Sequence, residues 1–416
     1  MSEAKLDSKY SIPDAYSLPL DAIDVSDFRL FEQDAWGPYF KRLREEDPVH
    51  VTENELHGRF WSVTKFNDIM YVDTNHELFS SEPNITIDDQ DEEFPLPMFI
   101  AMDQPKHDEQ RKVAQPVVAP MNLAKLEGTI RTRVQNILDS LPVGEKFNWV
   151  DKVSIELTTQ MLATLFDFPF EDRRKLTFWS DMATANLEVL GITEDERKAH
   201  LLECLEYFTR LWNERVNKPP GEDMDLVSML AHGESTKNMQ PMEYLGNLIL
   251  LIVGGNDTTR NSISGGVVFL NQNPKEYQKL RDDPKLIPNM VSEIIRYQTP
   301  LAHMRRIATQ DTELGGKQIK KGEKVVMWYV SGNRDAEVID RPDEFLIDRP
   351  KARHHVSFGF GIHRCMGNRL AEMQLRILWE EIGKRFKKIE LVGEPVRIPS
   401  AFVKGYTDLP VVLHAI

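Results

Sequence analysis

The chain has 416 residues, 41% hydrophobic and 28% charged, with a net charge of −15. That is the composition of a globular protein with enough chain for a large core, and its acidity argues against a nucleic-acid partner, because a phosphate backbone needs a basic face. Two cysteines, Cys204 and Cys365, imply no disulfide framework. The longest apolar runs, 248–253 and 325–330, are too short for a membrane span. The N-terminus lacks the apolar core of a signal peptide, so the expected location is cytoplasmic.

Taken in order, residues 1–30 read as a polar arm in which Pro13 and Pro19 discourage regular structure, and 31–416 as one domain. Residues 36–44 have the spacing of a short amphipathic helix. Residues 49–63 and 69–72 mix strand and helix signals and are assigned to a small sheet. Residues 80–100 form a long loop, acidic in the middle and apolar from Phe94 to Ile100. Loops of that length are usually functional, and the apolar end predicts that it covers something apolar. Asp103-Gln104-Pro105 predicts a helix start with Asp103 as cap, followed by His107 and Arg111 on one face.

Helical periodicity dominates from 124 to about 230. Residues 244–270 form a long apolar helix interrupted by Gly254-Gly255-Asn256-Asp257-Thr258-Thr259. Two glycines inside a helix cost roughly 1 kcal/mol each relative to alanine, so close packing or room for a flat group must compensate. A further helix, starting near Pro288, carries Glu293 and Arg296 at i,i+3. Beyond residue 300 the pattern turns strand-like, with a hairpin at 312–319, a buried strand at 324–330 and short strands after 395. The expected architecture is mainly α with a minor, mostly antiparallel β region. Its helix-rich parts fall at about 101–298 and 351–390, and its β-rich parts at about 48–75, 300–348 and 395–416.

The chemistry concentrates at Phe358-Gly359-x-Gly361-x-His363-x-Cys365-x-Gly367, a glycine-rich loop running into a helical pattern. A lone cysteine is usually a small buried hydrophobe. Here it sits at a helix start, where free N–H groups and the helix dipole favour a thiolate and hold its pKa down. The whole pattern resembles the haem-thiolate loop of the cytochrome P-450 monooxygenases. The resemblance implies Cys365 as the proximal ligand of haem b, with the haem between the long oxygen-binding helix and the cysteine-loop helix and Phe358 in the same cofactor loop. It also implies that Gly254 and Gly255 make room for the macrocycle. Asp257 and Thr258 supply the acid and alcohol that deliver protons for oxygen activation. His107, Arg111, Arg306 and His363 meet the haem carboxylates, and Glu293, Arg296 and Arg349 form a structural ion-pair set.

Residues 97–103, 254–262 and 298–306 are also similar to the soluble bacterial family that hydroxylates the terminal methyl of medium-chain alkanes and fatty acids. By that resemblance the substrate, an apolar chain-shaped small molecule, is lined by Met98, Phe99, Leu250, Val253, Leu301, Ala302, Phe402 and Val403. Electrons come from NAD(P)H through a ferredoxin reductase and a [2Fe-2S] ferredoxin. Arg353, Arg364, Arg369 and Arg376 are the expected docking patch. Two alternatives stand beside this reading: a P-450 acting on a compact terpenoid, and a non-catalytic cysteine-ligated haem sensor, against which the Asp257-Thr258 pair speaks.

Overall fold

The longest helix sets the frame. Pro241–Gln272 runs for 32 residues, about 48 Å at 1.5 Å per residue. Pro241 opens it where a missing N–H costs nothing, and Asn273-Pro274 ends it and starts the next helix. Helices Glu156–Phe166, Arg174–Thr184, Ile287–Gln298 and Asn368–Gly383 pack around it. Their apolar faces form the main core, in which Cys204 is also buried. The computed structural model describes residues 11–184, 186–219 and 225–416. It is mostly helical, with small, mostly antiparallel sheets.

The largest sheet has five strands. The hairpin Val49–Asn54 and Gly58–Val63 is followed by Lys324–Met327, then Met304–Ala308, then Phe79–Ser80. The pairings are antiparallel except that Gly58–Val63 runs parallel to Lys324–Met327, as strands far apart in sequence can. Thr312–Leu314 and Lys317–Ile319 form a separate hairpin. Pro410–Ala415 pairs with Phe386–Leu391 and with Lys146–Asn148.

Several local expectations give way to the structure. From residue 12 the N-terminal stretch is packed, not a polar arm: Ala15, Ile23, Val25, Leu30 and Phe31 are buried with Phe40 and Trp328. Its apolar residues are too sparse to show a period, and long-range packing orders them. Residues 69–72 belong to a helix, Phe66–Thr74, not a strand. Phe66, Ile69 and Val72 face inward at helical spacing, which the short apolar run conceals. The strand at 324–330 stops at Met327 and becomes a helical turn, Tyr329–Gly332. No strand follows within 329–348. Asp103 does not cap the helix Lys106–Ala114 with its side chain. Its carboxylate instead accepts from Ser80 Oγ and the Ser81 N–H, tying down the start of the long loop.

Candidate active site

The cysteine loop is held by hydrogen bonds from every side before its own chemistry is considered. The Val356 N–H donates to Asn333 Oδ1 at 2.8 Å, Ser357 Oγ to the Ile295 carbonyl at 3.0 Å, and the Phe360 N–H to Asp73 Oδ2 at 2.7 Å. The Cys365 N–H closes the loop onto the Phe358 carbonyl at 2.8 Å. Gly361 has φ +66°, and a Cβ there would run into the backbone of Asp73 and Thr74, so only glycine fits.

Behind the loop lies a buried ion-pair set. Arg296 makes two bonds to Glu293, at 2.7 and 2.8 Å, and Arg349 Nε reaches the same carboxylate at 2.9 Å. The remaining guanidinium donors go to the carbonyls of Asn333, Asp340, Arg341, Pro342 and Glu344. Glu293 and Arg296 are fully buried and Arg349 nearly so. The set therefore fastens the 333–349 meander, and through Asn333 the cysteine loop, onto helix Ile287–Gln298.

Cys365 opens into a cavity of about 800 Å³. The cysteine loop forms one end and the central helix one wall, with residues 84–100, helix Glu156–Phe166, and segments near 301 and 402 as the rest. The backbone N–H groups of Gly367 and Asn368 point at the sulfur. The expected lowering of the thiol pKa is not the net result. Burial pushes it up, and those two N–H groups, with Arg111 and Arg364, only partly oppose this.

The remaining residues at this end ask for anions. His363 is 7% exposed and neither ring nitrogen has a hydrogen-bond partner. Burial, with Arg306, His107 and Arg111 nearby, drives its pKa far down. Arg111 and Arg306 line the same end of the cavity. On the central-helix wall of the same cavity, nothing among the described residues outside the helix's own adjoining turns lies within 4 Å of the place a Gly254 Cβ would occupy. A thiolate-seeking metal in a flat macrocycle bearing carboxylates fits all three features, and haem is such a group.

The structure separates the sequence-derived candidates. Phe358, Gly254, Gly255, Thr258, Arg111, Arg306 and His363 line the cavity with Cys365. His107 does not: its Nδ1 faces the Phe99 carbonyl at 2.8 Å and its Nε2 the Ile362 carbonyl at 3.1 Å. It acts as a strut, with its ring 4.1 Å from that of His363. Arg306 is already bound to Asp73 at 2.8 Å, so it would be shared. Gly255 is explained by packing, since a Cβ there would lie 2.7 Å from Leu162 Cδ2.

The acid–alcohol pair is split by the helix wall. Thr258 Oγ1 donates to the Gly254 carbonyl at 2.8 Å on the cavity side. Asp257 is wholly buried behind it, accepting from Arg260 at 2.8 Å, Asn256 at 3.0 Å and Thr184 at 3.3 Å. Arg260 also holds Asp181, whose pKa burial pushes up. Thr184 lines the cavity and so connects the buried carboxylate to it. Sequence reasoning missed Arg260 and Thr184. The i,i+3 spacing of Asp257 and Arg260 was a readable signal for the first; nothing marked the second.

Of the apolar candidates, Met98, Phe99, Leu250, Val253, Leu301 and Phe402 line the cavity. Ala302 and Val403 are buried in protein instead. Successive residues of extended chain project to opposite sides, so each sits behind a neighbour that faces the cavity. Ile85, Ile87, Met161, Leu165 and Leu201 complete the wall without having been foreseen.

A mainly helical fold with a glycine-rich cysteine loop under a long helix defines a haem-thiolate protein. Residues 129–400 match the cytochrome P450 family model. Linalool 8-monooxygenase of Pseudomonas putida is 36% identical over 406 residues, covering 94% of this chain and 98% of its own. Methyl-branched lipid omega-hydroxylase of Mycobacterium tuberculosis (strain ATCC 25618 / H37Rv) is 30% identical, with 95% of both chains covered. The solved structure of Cytochrome P450-153 from Novosphingobium aromaticivorans is 48% identical with a TM-score of 0.88, over 94% of this chain and 99% of that one. The chain belongs to the cytochrome P450 family and is a monooxygenase whose cofactor is haem. Among the described residues no helix is long and apolar enough to cross a membrane.

Proposed function

We propose that this monooxygenase hydroxylates the terminal carbon of a medium-chain alkane or fatty acid. The observation that carries the reading is the cavity: a largely apolar space, lined by Met98, Phe99, Leu250, Val253, Leu301 and Phe402, into which Cys365 opens. Haem, once bound to Cys365, supplies O2 activation and transfer of one oxygen atom into a C–H bond. A primary C–H bond is the strongest in an alkane, so terminal attack has to be imposed by position. Apolar walls that admit a chain end-on impose it. Arg111, Arg306 and His363 hold the cofactor carboxylates. The Thr258 hydroxyl orients a water on the cavity side of the helix, and Asp257 exchanges its proton with the cavity through Thr184.

Electrons come from NAD(P)H through a ferredoxin reductase and a [2Fe-2S] ferredoxin, in the cytoplasm. Arg353, Arg364 and Arg369 are exposed around the cysteine loop and form the docking patch, Arg353 remaining 77% exposed although it meets Glu372 at 3.3 Å. Arg376, expected with them, is instead bound to Glu127 and Glu380, at 2.8 Å each, and drops out. Reversing Arg353, Arg364 and Arg369 to glutamate should slow reduction by the ferredoxin and flatten its salt dependence. An unchanged rate would remove the patch.

A terpenoid substrate is the second reading, favoured by the similarity to a linalool 8-monooxygenase. The sensor alternative is set aside with membership of a monooxygenase family. The deciding experiment is a carbon monoxide difference spectrum, expected near ~450 nm for thiolate ligation, followed by titration with octane, octan-1-ol and dodecanoic acid and product analysis. A shift to high spin and primary products support terminal hydroxylation. Secondary or ring alcohols only, from linear and terpenoid substrates tested together, would overturn it.

A further inference from the structure

The charges along the cavity are sorted by end. At the cysteine end the lining permanent cations are Arg111 and Arg306, the latter bound to the buried Asp73 at 2.8 Å, and among the described residues no carboxylate lines the cavity there. At the far end the lining carboxylates are Asp88, Asp89, Asp91 and Glu194, against a single lining arginine, Arg197.

The cations at that mouth are already engaged. Asp89 is bound by Lys324 at 2.8 Å and Arg305 at 3.2 Å, and Asp91 by Lys198 at 2.6 Å. Arg197 gives two hydrogen bonds to Glu194, at 2.6 and 3.0 Å. Asp88 is paired with His57 at 2.8 Å. Beyond these pairs, Glu92 and Glu93 on the loop and Asp195 and Glu196 on the helix Glu194–Val216 are exposed. Among the described residues this is an acidic collar: four carboxylates that line the cavity and four exposed ones on the adjoining loop and helix, against the four permanent cations Lys324, Arg305, Lys198 and Arg197.

Terminal hydroxylation fixes how a chain lies in this cavity. Its methyl end must face Cys365, so any head group rests at the mouth. A fatty-acid head would bring one more negative charge into the collar, where Lys198, Arg197, Arg305 and Lys324 are already bound to carboxylates. We propose that the substrate is an uncharged chain, a hydrocarbon or a primary alcohol or ester, and that the acidic collar discriminates against fatty acids. This rests on the terminal-hydroxylase reading above and narrows it. A neutral head needs only the hydrogen-bonding groups that also line the mouth, such as Asn84, Thr86 and Gln90.

The test compares methyl dodecanoate with dodecanoate, the same chain with and without the charge, by spin-shift titration of the haem-loaded enzyme and by calorimetry. The ester should bind at least about tenfold more tightly at about 20 mM salt, with the gap shrinking at about 200 mM as the collar is screened. The double substitution Glu92→Gln/Glu93→Gln, on exposed side chains, should tighten dodecanoate binding several-fold and leave the salt dependence of ester binding flat. Dodecanoate binding as tightly as the ester at low salt would overturn the collar proposal and leave terminal hydroxylation standing. If neither chain binds, the chain-substrate reading falls and the collar proposal with it.

Discussion

The two ends of the cavity are built by opposite means. At the cysteine end, buried groups are joined by hydrogen bonds to backbone: Glu293, Arg296 and Arg349 on one side, Asp73 with Arg306 and the Phe360 N–H on the other. At the mouth the carboxylates reach the surface, Asp88 and Asp89 being 61% and 74% exposed although their partners His57 and Arg305 are buried, and Lys198–Asp91 and Arg197–Glu194 pair with both side chains partly exposed. A buried pair that loses one member leaves a stranded charge, whereas an exposed pair that breaks is replaced by water. One end is therefore fixed as part of folding, and the other rests on pairs that fold stability depends on less.

The comparison is broken hardest at Glu293. Glu293→Gln should destabilise the protein by about 3–5 kcal/mol, the usual cost of uncompensating a buried charge. Glu194→Gln at the mouth should cost under about 1 kcal/mol. Chemical denaturation of both variants measures the contrast, and equal effects would erase it. Next in size is Asp257→Asn, which removes the carboxylate that Arg260 and Thr184 share. Product formation should fall by roughly 10²-fold with the carbon monoxide spectrum retained, as expected for a group moving protons without holding the cofactor.

The glycine pair sharpens the comparison within one helix. Gly255→Ala presses on the buried Leu162 and should lower stability by about 1–2 kcal/mol. Gly254→Ala places its methyl in open cavity and should instead raise stability by up to about 1 kcal/mol while weakening substrate binding. Thermal midpoints and spin-shift titrations separate the two.

The smallest effect is a pH dependence at Glu381, between helices Pro120–Asp139 and Asn368–Gly383. Burial would raise its pKa, but Lys384, Arg385, Arg131 and Gln135 donate to it and bring it to about 2. A carboxyl depressed in the folded state stabilises fully above its unfolded value and loses that contribution as pH falls through the folded one. The stability gap between the native protein and Glu381→Gln should therefore be full above the usual glutamate range and close as pH falls toward about 2.

What could be read from sequence follows the same division. The cysteine loop was legible because its constraints are local: glycine where a Cβ has no room, and a cysteine followed directly by the first N–H groups of a helix. Glu293 and Arg296 announce themselves by spacing; Arg349 came from resemblance. What stayed hidden depends on distant partners. Nothing near His107 shows that both its nitrogens meet backbone carbonyls, one of them 255 residues away. Nor does the sequence around Asp257 show which side of its helix faces the cavity. The acidic run of the 80–100 loop reads as a solvated stretch until His57, Lys198, Arg305 and Lys324 are brought to it by the fold.

The 84–94 segment is held in two different ways along its length. Ile85 and Ile87 are buried, and the carbonyls of Ile85 and Asp88 accept from the backbone and side chain of the buried Arg305 at 2.7 and 2.8 Å. Asp91 instead reaches helix Glu194–Val216 through a part-exposed pair with Lys198 at 2.6 Å, a contact of the kind worth about 0.2–1 kcal/mol. Added salt therefore loosens the 91–94 end while leaving the 85–89 end in place.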